Sequence, residues 1–232
     1  MNISIKALAM AGMTACALLI TTNQGNAQIT VGVDPTQSWI GYMNVFSLPA
    51  DGGAYQFGNP WGTADLQASF SGSTLSLAPC VNVWETTDTY WVKADGVSPN
   101  KNMDASMYVQ NDLLAGQTIT FEGDTLANSL VSPYTCVAFI KDFNSGYSLV
   151  GSATSVLTPG QEFDFSLATA AGDHIQYGFE MIGPDANPAT AAALGMVQIA
   201  PVPEPSSLAL AGLGLATGLF FIRRRMASQK AA

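Results

Sequence analysis

Seventeen consecutive uncharged, mainly apolar residues, Ser206 to Ile222, run directly into Arg223-Arg224-Arg225 near the end of this chain. A helix of that length rises roughly 25 Å, the short end of what crosses a hydrocarbon core of about 30 Å. Flanking residues make up the difference by snorkelling or local thinning. A buried core helix is the competing reading, but arginines directly after Phe220-Phe221-Ile222 would have to surface with no amphipathic stripe to guide them. Basic residues beside a span stay cytoplasmic. Residues 206–222 are therefore read as one transmembrane helix, 223–232 as a cytoplasmic basic tail, and everything before them as lying outside.

The opposite end agrees with export. Lys6 supplies a positive start, Ala7 to Ile20 an apolar run, and Gly25-Asn26-Ala27 small residues before a cut at Gln28. Cys16 lies inside the apolar run, where lipidation would truncate it, so residues 1–27 are read as an ordinary signal peptide.

Pro203-Glu204-Pro205 stands immediately before the span, at the end of an extended tether over 201–205. This order of Pro-Glu-Pro, apolar helix and arginine cluster resembles the PEP-CTERM sorting signal of Gram-negative bacteria. The resemblance implies that exosortase, a membrane-embedded cysteine transpeptidase-like enzyme, recognises Pro203, Glu204 and Pro205 and cleaves near them. The helix, stopped by Arg223, Arg224 and Arg225, would then hold the protein in the inner membrane only transiently. The implied destination is the cell envelope or extracellular matrix of an organism that makes exopolysaccharide and grows in flocs or biofilms.

Between the signals, residues 28–200 are enough for one domain with a real core. Their only basic residues are Lys93, Lys101 and Lys141, against sixteen Asp and Glu, a formal charge of −13. Nucleic-acid surfaces need clustered Lys and Arg, so nucleic acid is excluded as a partner. The two cysteines of this span, Cys80 and Cys136, form an even pair in an oxidising compartment. A disulfide is the preferred reading, contributing about 4 kcal/mol in the chain-entropy picture. Two buried free thiols are the alternative, because Cys136 sits in an apolar run.

Apolar and polar residues alternate throughout the domain. Ile175, Tyr177, Phe179 and Met181 face one way while His174, Gln176, Gly178 and Glu180 face the other. The same period of two recurs in 38–48, 64–70, 74–77, 89–93, 105–109, 118–122, 136–143, 147–152 and 162–167, with Gly-, Pro- and Asp-rich turns between. The only helix-like stretch is short, over 188–194. This predicts an all-β fold, an antiparallel β-sandwich or jelly roll. Three segments, Gln117–Gly123, Tyr134–Phe143 and Gly172–Glu180, resemble the strand succession of jelly-roll carbohydrate-binding modules of the galactose-binding-like type. That partial resemblance implies glycan binding.

Residues for catalysis are sparse. His174 is the sole histidine and reads as a solvated edge residue; no GxSxG elbow is present. Zinc lacks ligands. Glycoside hydrolysis needs only two carboxylates, and Glu85, Glu122, Glu162 and Glu180 are candidates that sequence does not pair. The expectation is no enzyme, no cofactor and no metal, with calcium at the oxygen-rich loop 95–104 as a secondary idea. Aromatics crowd the first third of the domain. Trp61, in Gly58-Asn59-Pro60-Trp61-Gly62, is expected on an exposed loop, and Tyr90 and Trp91 on opposite faces of one strand. Exposed rings stack on the C–H faces of sugars, so these three are the candidate glycan-binding residues. The expected function is non-catalytic binding of extracellular polysaccharide. The alternatives are a structural or adhesive envelope protein without a glycan ligand and, behind it, a small secreted glycan hydrolase.

Overall fold

The computed structural model describes residues 28–203. The expected signal peptide, transmembrane helix and basic tail with Arg223–Arg225 lie outside the described residues, as do Glu204 and Pro205. The described chain forms the strands β1 (Gln28–Val31), β2 (Ile40–Ser47), β3 (Tyr55–Trp61), β4 (Ala68–Ser71), β5 (Thr74–Leu77) and β6 (Lys101–Gln110). Then follow β7 (Thr118–Asn128), β8 (Thr135–Phe143), β9 (Leu149–Val156), β10 (Gln161–Ala168), β11 (His174–Pro184) and β12 (Val197–Ala200). Helix among the described residues is confined to three short 3₁₀ turns, the last at Ala191–Leu194, inside the stretch expected to be helix-like.

The strands make two sheets. The first, sheet A, runs β4, β5, β12, β7. β10 pairs antiparallel with β7 along residues 118–125. The opposite edge of β7 is shared by β12, at residues 124–128, and β1, at residues 118–121. β1 runs parallel to β7, so the expected antiparallel sandwich contains one parallel pair. The second, sheet B, runs β3, β2, β6, β11, β8, β9 and is antiparallel throughout.

Alternation explains how the sheets meet. Odd-numbered residues of β7 and β11 point inward, so Phe121 from sheet A meets Tyr177 and Phe179 from sheet B at centroid distances of 5.3 and 5.5 Å. Phe163 of β10 joins edge-on to Phe121 at 5.2 Å. Its ring occupies the space over Gly123, where an added Cβ would lie 2.5 Å from it. Fully burying a ring such as Phe121 contributes about 2–3 kcal/mol. Trp39 closes one side of this core: its ring stacks on Phe179 at 6.2 Å and its indole N–H donates to the Asp34 carbonyl at 2.8 Å.

Several sequence expectations need correction. Residues 89–93 form turns with a single bridge from Val92 to Pro99, not a strand. Residues 64–67 are also a turn, with Gln67 in the left-handed region at φ 58°. β3 was not expected, because Gly58-Asn59-Pro60 reads as a turn. Proline is tolerated on an edge strand, and β3 pairs only with β2. The oxygen-rich stretch 95–104 is loop up to Asn100 and strand from Lys101 onward. Lys101–Asp104 belong to β6, and the Asp95 carboxylate instead accepts from the backbone N–H of Val97 and Ser98, closing its own turn.

The thiols are a further correction, for Cys80 and Cys136 are separate, buried and free. Cys136 points inward from β8 into the main core with Ala138 and Ile140. Cys80 packs in a second cluster with Met43, Val45, Leu66, Met103 and Ala105, its Sγ 3.4 Å from the Asp65 carbonyl. Burial pushes the Cys80 thiol up to about 11 and the Cys136 thiol higher still.

Candidate functional site

Of the expected glycan-binding aromatics Tyr90 is exposed, as expected for one of the Tyr90–Trp91 pair, while Trp61 and Trp91 are half-buried. Trp61 lies at the end of β3, opposite Gly41, and packs with Phe57, Val83 and Trp91 against the second cluster. It is half-buried strand structure rather than a loop ring. Tyr90 and Trp91 meet edge-to-face at 4.8 Å, and both pack on Phe57. Lys101 Nζ sits 4.1 Å over the Tyr90 ring, covering a face that a sugar would need. Of the sorting residues, Pro203 is exposed at the end of the described chain.

The outward face of sheet B offers a different arrangement. With Met103, Ala105, Met107 and Val109 of β6 committed to the interior, Asp104, Ser106, Tyr108 and Gln110 face out. Register places partners beside each of them. Gln110, Gln176, Lys141 and Ser152 form one row, Ile40, Tyr108, Gly178 and Phe139 the next. Tyr42, Ser106, Glu180 and Val137 make the third row, and Asn44, Asp104 and Ile182 the fourth. Over the first three rows lies a groove of about 580 Å³ whose walls include Tyr42, Tyr108, Tyr147, Lys141, Gln110 and Gln176. Beyond Asn44, the fourth row borders a shallower depression lined by Phe46, Asn102, Asp104 and Ile182.

Two glycines shape this surface. Gly58 on β3 lies opposite Asn44 and within 2.9 Å of the Tyr42 ring and hydroxyl, measured from the Cβ it lacks, so any side chain there would displace the tyrosine. Gly178 stands between Tyr108 and Phe139 in its row, and a Cβ would collide with the Tyr108 backbone. Phe139, although on the outward face, is fully buried, with Lys141 Nζ 4.3 Å above its ring.

One end of the groove is held by a polar network. His174 Nδ1 and Asp112 Oδ2 share a hydrogen bond of 2.8 Å, and the imidazole stacks on Tyr147 at 4.2 Å with only 13° between the planes. Gln110 Nε2 donates to Asp112 Oδ1 and to the Tyr147 hydroxyl; Gln176 Nε2 donates to Gln110 Oε1. The loop presenting Tyr147 is pinned by Asn144, whose side-chain oxygen accepts from the N–H groups of Gly146 and Ser148. Tyr147 itself sits at φ 58°, a conformation that costs a non-glycine residue energy and is kept where the surroundings over-determine it. The sole histidine is thus held by Asp112 and stacked on a groove tyrosine rather than standing solvated at an edge.

Outside the groove's lining, beside Lys141 and Asn44, lie two carboxyls. Glu180 forms an ion pair with Lys141. Asp104 lies within hydrogen-bond reach of Glu180 and the Asn44 amide, and its Oδ1 is enclosed without a partner. Burial and then the neighbouring Glu180 charge push the Asp104 carboxyl up to about 7, with Lys141 opposing. Two carboxyls this close favour sharing one proton. Tyr108 is also raised, by burial first and then by the Tyr147 and Tyr42 phenols.

Sequence alternation had already turned His174, Gln176 and Glu180 to a common side. It missed Tyr42, Asp104, Tyr108, Gln110, Lys141 and Tyr147, although each strand's outward set was there to be read. Their convergence depends on register between strands distant in sequence.

No curated protein and no solved structure matches this chain, so the likeness of its second half to jelly-roll carbohydrate-binding modules rests on strand sequence alone. At the C-terminal end, residues 201–225 match the family described as the PEP-CTERM protein-sorting motif, and the chain therefore carries the signal of an exported protein that exosortase processes after transient membrane anchoring.

Proposed function

We propose that the mature domain is a non-catalytic polysaccharide-binding module of the cell envelope or extracellular matrix, and that it holds glycan in the sheet B groove. The observation that carries this reading is the groove's composition, with three tyrosine rings interleaved with fixed amides and the Lys141 ammonium. Rings offer stacking to C–H faces while flanking polar groups orient hydroxyls. Residues 201–225 carry the signal that sends that domain to the outside.

Hydrolysis is disfavoured by spacing. Asp104 and Glu180 are close enough to hydrogen-bond, nearer than the ~5–5.5 Å of retaining carboxylate pairs. Asp112 bonds to His174, six positions from Glu180 on β11, or about 20 Å at the rise of a strand. That exceeds the ~6.5–9.5 Å of inverting pairs. The structural or adhesive reading has its own support in β9, an edge strand exposing Leu149, Val150 and Val156 without a single charge.

Tyr108→Ala should weaken pull-down on the host's polysaccharide by about tenfold, as expected for a lost stacking ring worth ~1.5 kcal/mol. Unchanged retention by Tyr108→Ala and Tyr42→Ala would move the adhesive reading to first place. The tail carries its own test. Mass spectrometry of the protein from host envelopes should find Arg223–Arg225 removed, and replacement of Glu204 should leave the protein in the membrane.

A further inference from the structure

We infer that β9 is the seam of a homodimer, pairing antiparallel with β9 of a second copy so that two copies of sheet B join into one. The inference stands apart from the glycan reading. An edge strand presents a row of N–H and C=O groups to any chain that can pair with them, and soluble proteins blunt such edges by shortness, charge or proline. Among the described residues, every other strand that pairs on one side only is blunted. β1 and β4 are four residues long. β10 carries Glu162 and Asp164. β3 contains Pro60, which has no N–H to offer. β9 has eight residues, no charge and no proline, pairs only with β8, and exposes Leu149, Val150 and Val156. β10 passes beneath it in sheet A, where Leu167 lies 3.8 Å from the Cβ position of Gly151, but its ladder is with β7.

What specifies a second copy is the order of residues. Val150-Gly151-Ser152-Ala153-Thr154-Ser155-Val156 shows the same residue classes read in either direction from Ala153. A strand paired antiparallel with its own copy sets each residue opposite the one equally far beyond the two-fold axis. With that axis at Ala153, Ser152 meets Thr154, Gly151 meets Ser155 and Val150 meets Val156. Ser152 lies beside Lys141 and Thr154 beside Phe139, so hydroxyl meets hydroxyl on the outward face. Small residues meet on the inward face, and valines meet at the ends. Such a contact is isologous, the same patch serving both copies. The bulge of β9 falls at Val150 and leaves Gly151–Val156 in regular register. Charge favours the same seam. At −13 two domains repel, and β9 lets their backbones meet along a strip free of carboxylates. At the far side of sheet B, Pro60 denies β3 a second seam, so assembly closes at two instead of growing into a fibre. The axis stands perpendicular to the joined sheet, and both grooves open to the same side.

The test uses the full chain purified in detergent, with Cys16→Ser removing the one cysteine outside the domain. Sedimentation should give a dimer and nothing larger. Ser152→Glu combined with Thr154→Glu sets carboxylates directly opposite one another across the seam. That variant should self-associate about tenfold more weakly or worse, with an unchanged melting temperature because both positions are exposed. Ser152→Lys combined with Thr154→Lys should do the same, and an equimolar mixture of the two variants should restore the dimer. Ala153→Cys should oxidise to a disulfide-linked dimer. Val156→Cys, roughly 20 Å from its own copy in this register, should not. A monomeric parent or oligomers larger than two would overturn the inference. So would a dimer that survives the carboxylates, as association through the apolar span would, or a mixture that stays monomeric. Cross-linking as ready at Val156 as at Ala153 would overturn it as well.

Discussion

Two aromatic regions of this domain are built from similar residues and end in opposite states. Around Phe57, Tyr90 and Trp91 the rings contact one another at 4.8–6.5 Å, lean on Trp61 and the second core cluster, and are capped by Lys101. On the outward face of sheet B, Tyr42 and Tyr108 stand on separate strands in neighbouring rows, Tyr42 beside Ser106 and Tyr108 between Ile40 and Gly178. The first region spends most of its aromatic surface on itself, Tyr90 alone keeping an exposed side; the second turns half-buried rings to a groove of about 580 Å³. Richness in tryptophan is thus a poor guide to where a domain meets its ligand. What matters is whether neighbouring residues leave a ring face uncovered.

The largest test of this contrast is truncation inside each region. Trp61→Ala should cost about 2–3 kcal/mol, less than the ~3–5 kcal/mol of a fully buried ring because Trp61 is only half-buried, and should lower the melting temperature by several degrees. Tyr42→Ala should leave the melting temperature within about 2 °C of the parent while weakening glycan retention. A stable Trp61→Ala protein would mean that the first cluster carries little of the fold and that its rings are free after all.

A second test uses the two acids whose carboxyls are pushed up, one near each region. Asp185 is almost fully buried beside Cys80 and Lys101, and burial raises its carboxyl to about 6 despite backbone donors that favour its charge. Asp104, in the polar surface of sheet B, rises to about 7. Both folded values exceed the unfolded value of 3.8. Their contribution is therefore complete below about pH 4 and is lost as pH rises through 6 and 7. Unfolding free energy should fall across that window, and Asp185→Asn should flatten its lower part by roughly 2 kcal/mol. Saturating glycan should alter the Asp104 part of the profile alone. A profile flat from pH 4 to 8 would contradict both assignments.

The smallest expected effect concerns the thiols. Protein lacking residues 1–27, and so Cys16, treated with a water-soluble alkylating agent should stay unmodified at Cys80 and Cys136, since each is buried with a raised thiol, and should take up two labels once unfolded, without reductant. A requirement for reductant would reinstate the disulfide.

Much of the fold was legible because alternation is a local signal. Thr74–Leu77 and His174–Ile182 announce one buried and one free side by composition alone, and both are strands. The failures have physical causes. Residues 89–93 have strand-forming rings but no neighbouring strand to accept their hydrogen bonds, and β3 forms through a proline that only an edge permits. The groove was legible in halves. Glu180 and Gln176 were visible on one strand, but the arrival of Asp104, Tyr108 and Tyr42 beside them follows from pairings that span more than sixty residues. Trp61 misled because glycine and proline around it suggested a loop. Here Gly58 is the empty position against which Tyr42 rests.

β12 carries a mechanical consequence. It lies inside sheet A, bonded to β5 on one side and β7 on the other, and its last paired residue, Ala200, is followed only by Pro201, Val202 and Pro203 before Glu204. Three extended residues reach about 10 Å, so the sorting motif is joined to the sheet with almost no slack. A pull on that leash would load two ladders in shear at once instead of peeling an edge strand. The domain would then ride close to its membrane anchor and resist being stripped from it, holding a fixed attitude while flow drags on it.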